Sequence, residues 1–211
     1  MLNLEERVLA EREIFTVLDD LTKRAKRSIE SKQLLVIFRL SCCCGLRPGE
    51  ISSLHLRDVN VDQGPPKLEV SKSRLRDGKL MTKGRIVHLD FDERTAKDIV
   101  SWRWLRYKQT NGDRFAPFIC GLRPCNLGQP LDSRRLAKRW KSAIRSLGRE
   151  RVKELSISAG RHSGICHFLR RGATLQAVQK FAGHARIEET MEYLKLLPQL
   201  DTQPNGRLFS L

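Results

Sequence analysis

The sequence predicts an α+β fold, mainly helical, in which one small antiparallel three-stranded sheet interrupts a series of helices. Three observations predict it. Apolar residues recur at helical spacing in the first 55 residues and again after residue 92, as in Ile14, Val17, Leu18 and Leu21. Between these regions the pattern changes: Val59 with Val61, Leu68 with Val70, and Ile86, Val87 with Leu89 read as three short strands. Gly64-Pro65-Pro66 breaks the first gap between strands, and a long basic stretch, Arg74 to Gly84, fills the second. At 211 residues the chain can bury a substantial core.

In order along the chain, residues 1–9 are charged and read as a lead-in, 10–197 as the domain, and 198–211 as a tail containing Pro204, Asn205 and Gly206. A first helix is predicted through roughly residues 10–28, with a basic end from Lys23 to Arg27. Ser28 or Ser31 opens the next helix, Gln33 to Cys44, which is apolar nearly all round and stops at Gly45. Pro48 stands in the first turn of a short helix through Glu50, Ile51 and Leu54. Beyond the sheet, residues 92–109 return to helix. Residues 111–130 read as loop, with at most a short strand at 118–120. Asp132 or Ser133 caps a basic helix that turns Leu136, Trp140 and Ile144 inward. Three short helical segments follow Ser158, the first two ended by Gly172 and Gly183, and the last marked by Ile187, Thr190, Met191, Leu194 and Leu197.

Charge is the strongest bulk signal. Forty Lys and Arg against 24 Asp and Glu give a net charge of +16, which favours a polyanionic partner. No apolar run approaches the roughly 20 residues that span a bilayer, and the charged N-terminus does not resemble a secretory signal. Nucleic acid is the expected partner, with no membrane association, and the cytoplasm the expected compartment. The six cysteines lack two well-spaced ligand pairs, so no metal site is expected. Cys42, Cys43 and Cys44 read as small buried side chains, reduced in a cytoplasm.

Several side chains have chemistry to offer. Arg47 precedes Pro48, so it should be extended at the mouth of a helix, where free amides and a guanidinium suit an anion; pairing with Glu50 is the structural alternative. Arg161 opens a largely apolar helix and needs a partner there, either a buried carboxylate or a phosphate. As a nucleophile, Tyr193 must lose a proton with an ordinary pKa of about 10, a cost that cations or His184 would lower. His162 and His167 read as structural histidines. The basic connection offers Lys79, Lys83 and Arg85 to a DNA groove, and the basic helix offers Arg135, Lys138 and Arg139 to the phosphate backbone.

Together these residues resemble the catalytic domain of the tyrosine recombinases, the phage-integrase family, over roughly residues 8–197. Gly45-Leu46-Arg47-Pro48-Gly49-Glu50 is similar to the family's first arginine box, and residues 158–169 to its second, His-x-Leu-Arg-His. Ala182-Gly183-His184 is similar to its Leu-Gly-His element. Thr190-Met191-Glu192-Tyr193 matches Thr-x-x-Tyr, nine residues beyond His184. The order and spacing carry more weight than any single box.

The resemblance implies a helical catalytic domain with a small sheet, and a site-specific recombination chemistry on mobile-element DNA. Tyr193 would attack a DNA phosphate to give a 3′-phosphotyrosyl enzyme, with Arg47 and Arg161 on the non-bridging oxygens and His184 assisting. Lys72, at the end of the second strand, would protonate the leaving oxygen, with Lys79 and Lys83 as alternatives. No cofactor is implied, because the covalent link conserves the bond energy. Double-stranded DNA and assembly into a tetramer are the implied partners. Two departures stand out. Ser158 occupies the position where the family usually carries a histidine, so weakened chemistry is expected, and His162 is read as facing another way along the helix. The family's N-terminal DNA-clamping domain does not fit before residue 10, so a catalytic-domain fragment or a minimal recombinase is expected. A degenerate relative that binds DNA without cutting it, and a type IB topoisomerase, are the competing readings.

Overall fold

The computed structural model describes residues 8–62, 64–70, 84–89, 92–195 and 197. Helix α1 (Glu11–Ala25) turns Ile14, Val17 and Leu21 inward and packs on α2 (Ile29–Phe38). Of the two candidate caps it is Ser28 that opens α2, accepting from the Ser31 amide. Leu34 to Phe38 are all buried, as an all-round apolar helix requires. The expected single helix from Gln33 to Cys44 instead widens into a π segment, Arg39–Cys43. Within it the Arg39 guanidinium is buried and reaches Asp98 at 3.0 Å and Asp92 at 3.5 Å. The chain then turns at Gly45 and enters α3 (Pro48–Ser53).

The sheet follows as β1 (Val59–Asn60), β2 (Lys67–Val70) and β3 (Arg85–His88), antiparallel in that order. Leu68 pairs with Val59 on one side and Val87 on the other, which puts these apolar side chains on the buried face. Helix α4 (Glu93–Gln109) is capped by Asp92, whose carboxylate accepts from the Arg94 and Thr95 amides. Over residues 111–130 the chain forms isolated bridges, Cys120 with Pro130 and Gly121 with Leu127, in place of a strand. Asp132 caps α5 (Ser133–Ala143), which buries Leu136 and Trp140. Sequence periodicity misses α6 (Arg149–Glu154), a six-residue helix too short and too polar to register. The remaining helices are α7 (Ile157–Arg170), α8 (Leu175–Ala182) and α9 (Glu188–Leu194).

The lead-in expected over residues 1–9 ends sooner. Val8 and Leu9 are buried; the Leu9 amide donates to Ser163 Oγ at 2.8 Å, and its carbonyl meets His167 Nε2 at 2.9 Å. Arg151 of α6 adds bonds to Glu13 at 2.8 Å and to the Val8 carbonyl at 2.9 Å. The expected tail, 198–211, lies outside the described residues.

One close approach fixes the functional half of the molecule. Helix α7 crosses the π segment so tightly that a Cβ on Gly164 would sit 2.1 Å from the Cys42 carbonyl oxygen, and one on Gly160 2.5 Å from Ser41 Oγ. Backbone cannot yield to such an overlap, so only glycine serves at Gly164. Ser41 Oγ in turn donates to the Ile157 carbonyl at 2.9 Å. The two glycines are one turn apart, and the two residues after Gly160 are Arg161 and His162.

Candidate active site

The extended backbone at Arg47 (φ −72°, ψ 153°) follows from the proline after it, and sets the guanidinium at the mouth of α3. Glu50, one turn into α3, accepts the Arg47 amide at 2.7 Å. Its carboxylate is buried and is gripped by both terminal nitrogens of Arg85, at 2.6 and 3.1 Å. Burial alone would raise its pKa, but the Arg85 fork, assisted by the Arg47 amide, holds it below the usual carboxylate range. Glu50 is therefore the shared carboxylate partner of Arg47 and Arg85.

Arg85 needs correction. Expected to contact DNA, its side chain is 6% exposed and spends its donors inside the protein, on Glu50, on Phe181 O at 3.1 Å and on Gly45 O at 3.3 Å. A guanidinium so placed organises the cluster.

Arg161 also finds a partner that neither sequence alternative named. It donates to the carbonyls of Gly45 and, at 2.6 Å, Ala182. Arg47 reaches the next carbonyl, Gly183 O, at 3.5 Å. The exposed carbonyls at the C-terminal end of α8 thus hold three arginines, an arrangement favoured by the negative end of a helix dipole. Three cations surround a single carboxylate. The effect is seen on Arg161, whose pKa is pushed down to about 9 by burial and then by the charges of Arg47 and Arg85.

Gly183 adopts the left-handed conformation (φ 65°) that ends α8 and delivers His184. His184 Nδ1 lies 2.9 Å from Thr190 Oγ1 on α9. Its ring stacks on Tyr193, with centroids 5.8 Å apart and planes 18° from parallel. Burial, then the nearby Arg161, lowers its pKa to about 4, so the imidazole is neutral at pH 7. Tyr193 is 9% exposed. Its pKa is raised, because burial outweighs the opposing charges of Arg161 and Arg47. The cations lower the cost of the phenolate, as expected, but burial raises it by more.

The hydroxyl of Tyr193 has a neighbour that reads in the sequence as structural. His162 Nδ1 lies 2.7 Å from Tyr193 Oη. Ser158 and His162 are four residues apart on α7 and share a face, which corrects the expectation that they point different ways; helical geometry alone requires it. Ser158 is half-buried one turn before His162. His167, by contrast, is the structural histidine expected, bonded to Leu9.

Lys72, Lys79 and Lys83 lie outside the described residues. What is described is where their segment leaves the sheet: Val70 is the register partner of Arg85. On α5, Arg135 and Lys138 are exposed and Arg139 half-buried. Arg139 lines a cleft of about 380 Å³ together with Arg24, Arg27, Arg123 and Arg145. These other four arginines come from three separate parts of the chain, so only the fold gathers them. Of the other basic residues on α5, Lys141 is turned to the carbonyls of Val152 and Lys153.

A mainly helical domain with a three-stranded antiparallel sheet, closing helices α7 to α9 over an arginine box, is the architecture of tyrosine recombinase catalytic domains. The chain belongs to the phage integrase family, whose model matches residues 7–199. No curated protein matches it in sequence. Among solved structures, it is similar to XerA recombinase, with a TM-score of 0.69 at 20% identity over 95% of this chain and 65% of that one. XerH recombinase bound to a palindromic difH substrate, in a post-cleavage complex, aligns with a TM-score of 0.63 at 20% identity over 91% of this chain and 50% of that one. A lambda integrase dimer bound to a COC′ core site aligns with a TM-score of 0.55 at 14% identity over 95% of this chain and 62% of that one. The chain thus spans between half and two thirds of these neighbours.

Proposed function

We propose that this chain is the catalytic domain of a site-specific DNA recombinase, cutting and rejoining double-stranded DNA through a 3′-phosphotyrosyl intermediate. The observation that carries the reading is the gathering of Arg47 and Arg85, both paired with Glu50, and of Arg161, held on the carbonyls of Gly45 and Ala182, beside the hydroxyl-bearing ring of Tyr193. A phosphate entering this cleft supplies the missing negative charge. Its non-bridging oxygens would be held by Arg47 and Arg161, and the charge that builds in the pentavalent transition state would meet donors already fixed on backbone carbonyls. Tyr193 Oη attacks phosphorus, the bond to the 5′-oxygen breaks, and that oxygen takes a proton. Lys72 is assigned to that last step; the pairing of Val70 with Arg85 supports it, because the strand end two residues before Lys72 lies against a member of the cluster. Neutral His184 assists by hydrogen bonding to the phosphate.

The surface for the rest of the duplex would combine Lys79 and Lys83 with Arg135, Lys138, Arg139 and the arginine cleft beside them. The DNA complexes of XerH and lambda integrase support a duplex partner here, and the lambda integrase dimer supports self-association on DNA. A tetramer on two sites, acting in the cytoplasm without cofactor or metal, completes the proposal.

The test is covalent capture. The full chain is incubated with nicked duplexes carrying a randomised core, and DNA that stays attached in detergent is recovered and sequenced. Attachment that disappears in Tyr193→Phe supports the reading. Tight binding with no attachment favours the second reading, a DNA-binding relative that does not cut. One observation favours that second reading: Ser158 provides no imidazole where the family has one.

A further inference from the structure

We propose that His162 is the proton acceptor for Tyr193, taking up on the same helical face the work that Ser158 leaves undone. This rests on the recombinase reading above and deepens it.

Geometry carries the assignment. His162 Nδ1 is 2.7 Å from Tyr193 Oη, and the two rings lie 5.7 Å apart at 32°. A ring nitrogen at hydrogen-bonding distance from the reacting oxygen is where a general base must be. His184, the other imidazole at the site, is placed differently: it lies nearly parallel to the phenol ring, with Nδ1 engaged by Thr190. Ser158 is one turn of α7 earlier, and a hydroxyl there cannot accept and hold a proton near neutral pH. The anchoring of α7 also matters. Gly160 and Gly164 bring the helix backbone against Ser41 and Cys42, so the residues between them are held by packing that side-chain motion does not relax.

In the Nε2–H tautomer, Nδ1 accepts the Tyr193 proton as Oη forms its bond to phosphorus. The bond from phosphorus to the 5′-oxygen breaks, and that oxygen is protonated by a different group, so no proton is counted twice. On rejoining, the imidazolium returns its proton to Oη as the phosphotyrosyl bond breaks. The phenol needs this help, because burial favours its neutral form.

The experiment measures single-turnover attachment on a nicked duplex recovered by the capture above. His162→Ala is expected to slow attachment by about 10²- to 10⁴-fold at pH 7. DNA binding and melting temperature serve as controls for folding. His162→Gln can hold the hydroxyl by a hydrogen bond but cannot take its proton, and is expected to show a similar loss. Attachment by His162→Ala should recover as pH rises and the phenol ionises without a base. Burial sets that ionisation first, then Arg161 and Cys166 on α7, Arg47 before α3 and Glu189 on α9; the His184 ring before α9 and His162 on α7 also face the phenol. A substrate with sulfur in place of the 5′-bridging oxygen needs no acid on the leaving side; it should leave the His162→Ala deficit intact. Adding Ser158→His to His162→Ala should restore part of the rate.

Attachment by His162→Ala within about threefold of wild type, full activity in His162→Gln, or rescue by the sulfur leaving group would each overturn the assignment while the recombinase reading stands. If the wild-type chain attaches no DNA at all, the recombinase reading itself falls, and this inference with it.

Discussion

Two groups of arginines lie at opposite ends of α2, and they are held in opposite ways. Beyond its C-terminal end, Arg47, Arg85 and Arg161 are tied to Glu50 and to the carbonyls of Gly45 and α8. At its N-terminal end, Arg24, Arg27, Arg123, Arg139 and Arg145 surround an open cleft. Ser28 and Gly45 are 17 residues apart, roughly 25 Å along a helix. In the first group every guanidinium has fixed partners, so its direction is set before any ligand arrives. In the second, Arg24 pairs with Asp20 at 2.8 Å, while Arg27, Arg139 and Arg145 have no ion pair among the described residues. Fixed cations suit a transition state, where position decides the rate. Loosely held ones suit a polyanion, where the release of counterions matters more than geometry. On the proposed function the same residue type would serve both ends, with what its donors already hold deciding the role.

The sharpest break in that comparison is Arg161→Ala. It removes a buried cation held by two carbonyls and takes the guanidinium donor from Ala182 O, while Gly45 O keeps Arg85. Attachment should fall by about 10²- to 10³-fold, the scale for losing one preorganised donor to a transition state. Arg161→Lys should recover little of it, because an ammonium cannot bridge the carbonyls of Gly45 and Ala182 and still present a second face to phosphate. The measurement is single-turnover attachment at saturating DNA. Recovery by lysine would show that only charge matters at this position, as proposed for the cleft.

Comparable in size is Glu50→Gln, which tests stability instead of rate. It leaves Arg85 buried beside an uncharged partner, and such losses reach about 3–5 kcal/mol. Because the folded pKa of Glu50 is lowered, its stabilisation is complete above the unfolded carboxylate range and is lost as pH falls through the folded value. Denaturant melts between pH 3 and pH 7 should therefore lose part of their acid-side slope in the variant. An unchanged slope would mean that the Arg85 fork does not hold the carboxylate ionised.

Much of this molecule is legible in its sequence, and the exceptions share a cause. The helices around Ile14, Trp140 and Ile165 are periodic, and the sheet is marked by Pro65, Pro66 and alternating valines, so local pattern is enough. Arg47, Arg161, His184 and Tyr193 are recognisable because each sits beside a glycine or a proline, or at the spacing that the resemblance to the family supplies. Residue pairs that meet only after folding are not recognisable. Arg85 looks like part of a basic connection until Glu50 is placed against it, 35 residues earlier in the chain. The arginines of the cleft come from separate elements in the same way. The π segment has no periodic signature, and what makes it visible is the buried Arg39 and the close approach of Gly164. His162 is different. Its four-residue offset from Ser158 is open to view, and the structure adds the position of the Tyr193 hydroxyl.

Smaller effects are expected at the open end. Replacing Arg139 and Arg145 together by alanine should weaken DNA binding evenly across sequences. For each phosphate no longer neutralised, the slope of log K against log salt should flatten by about 0.9. Fluorescence anisotropy between 50 and 200 mM salt reads this directly. A change in which sequences are captured, with the salt slope intact, would move these residues from backbone attraction to base readout.

The smallest expected effect returns to the fixed end and concerns protons. His184 titrates near 4 in the folded protein, below its ordinary value of 6.5. Between those values the unfolded chain carries a proton that the folded chain does not, so stability declines as pH falls from 6.5 toward 4. The ring is only partly buried, and solvent screening should hold this contribution to about 1 kcal/mol. His184→Gln should flatten that limb, while the limb due to His167, whose pKa burial also lowers, remains. Orthophosphate sharpens the test. An anion among Arg47, Arg85 and Arg161 offsets the charges that hold His184 neutral, so its folded pKa should rise and the limb should shrink in the wild-type protein alone. If phosphate raises the melting temperature without altering the limb, the anion sits elsewhere, and the cleft at the other end of α2 is the place to look for it.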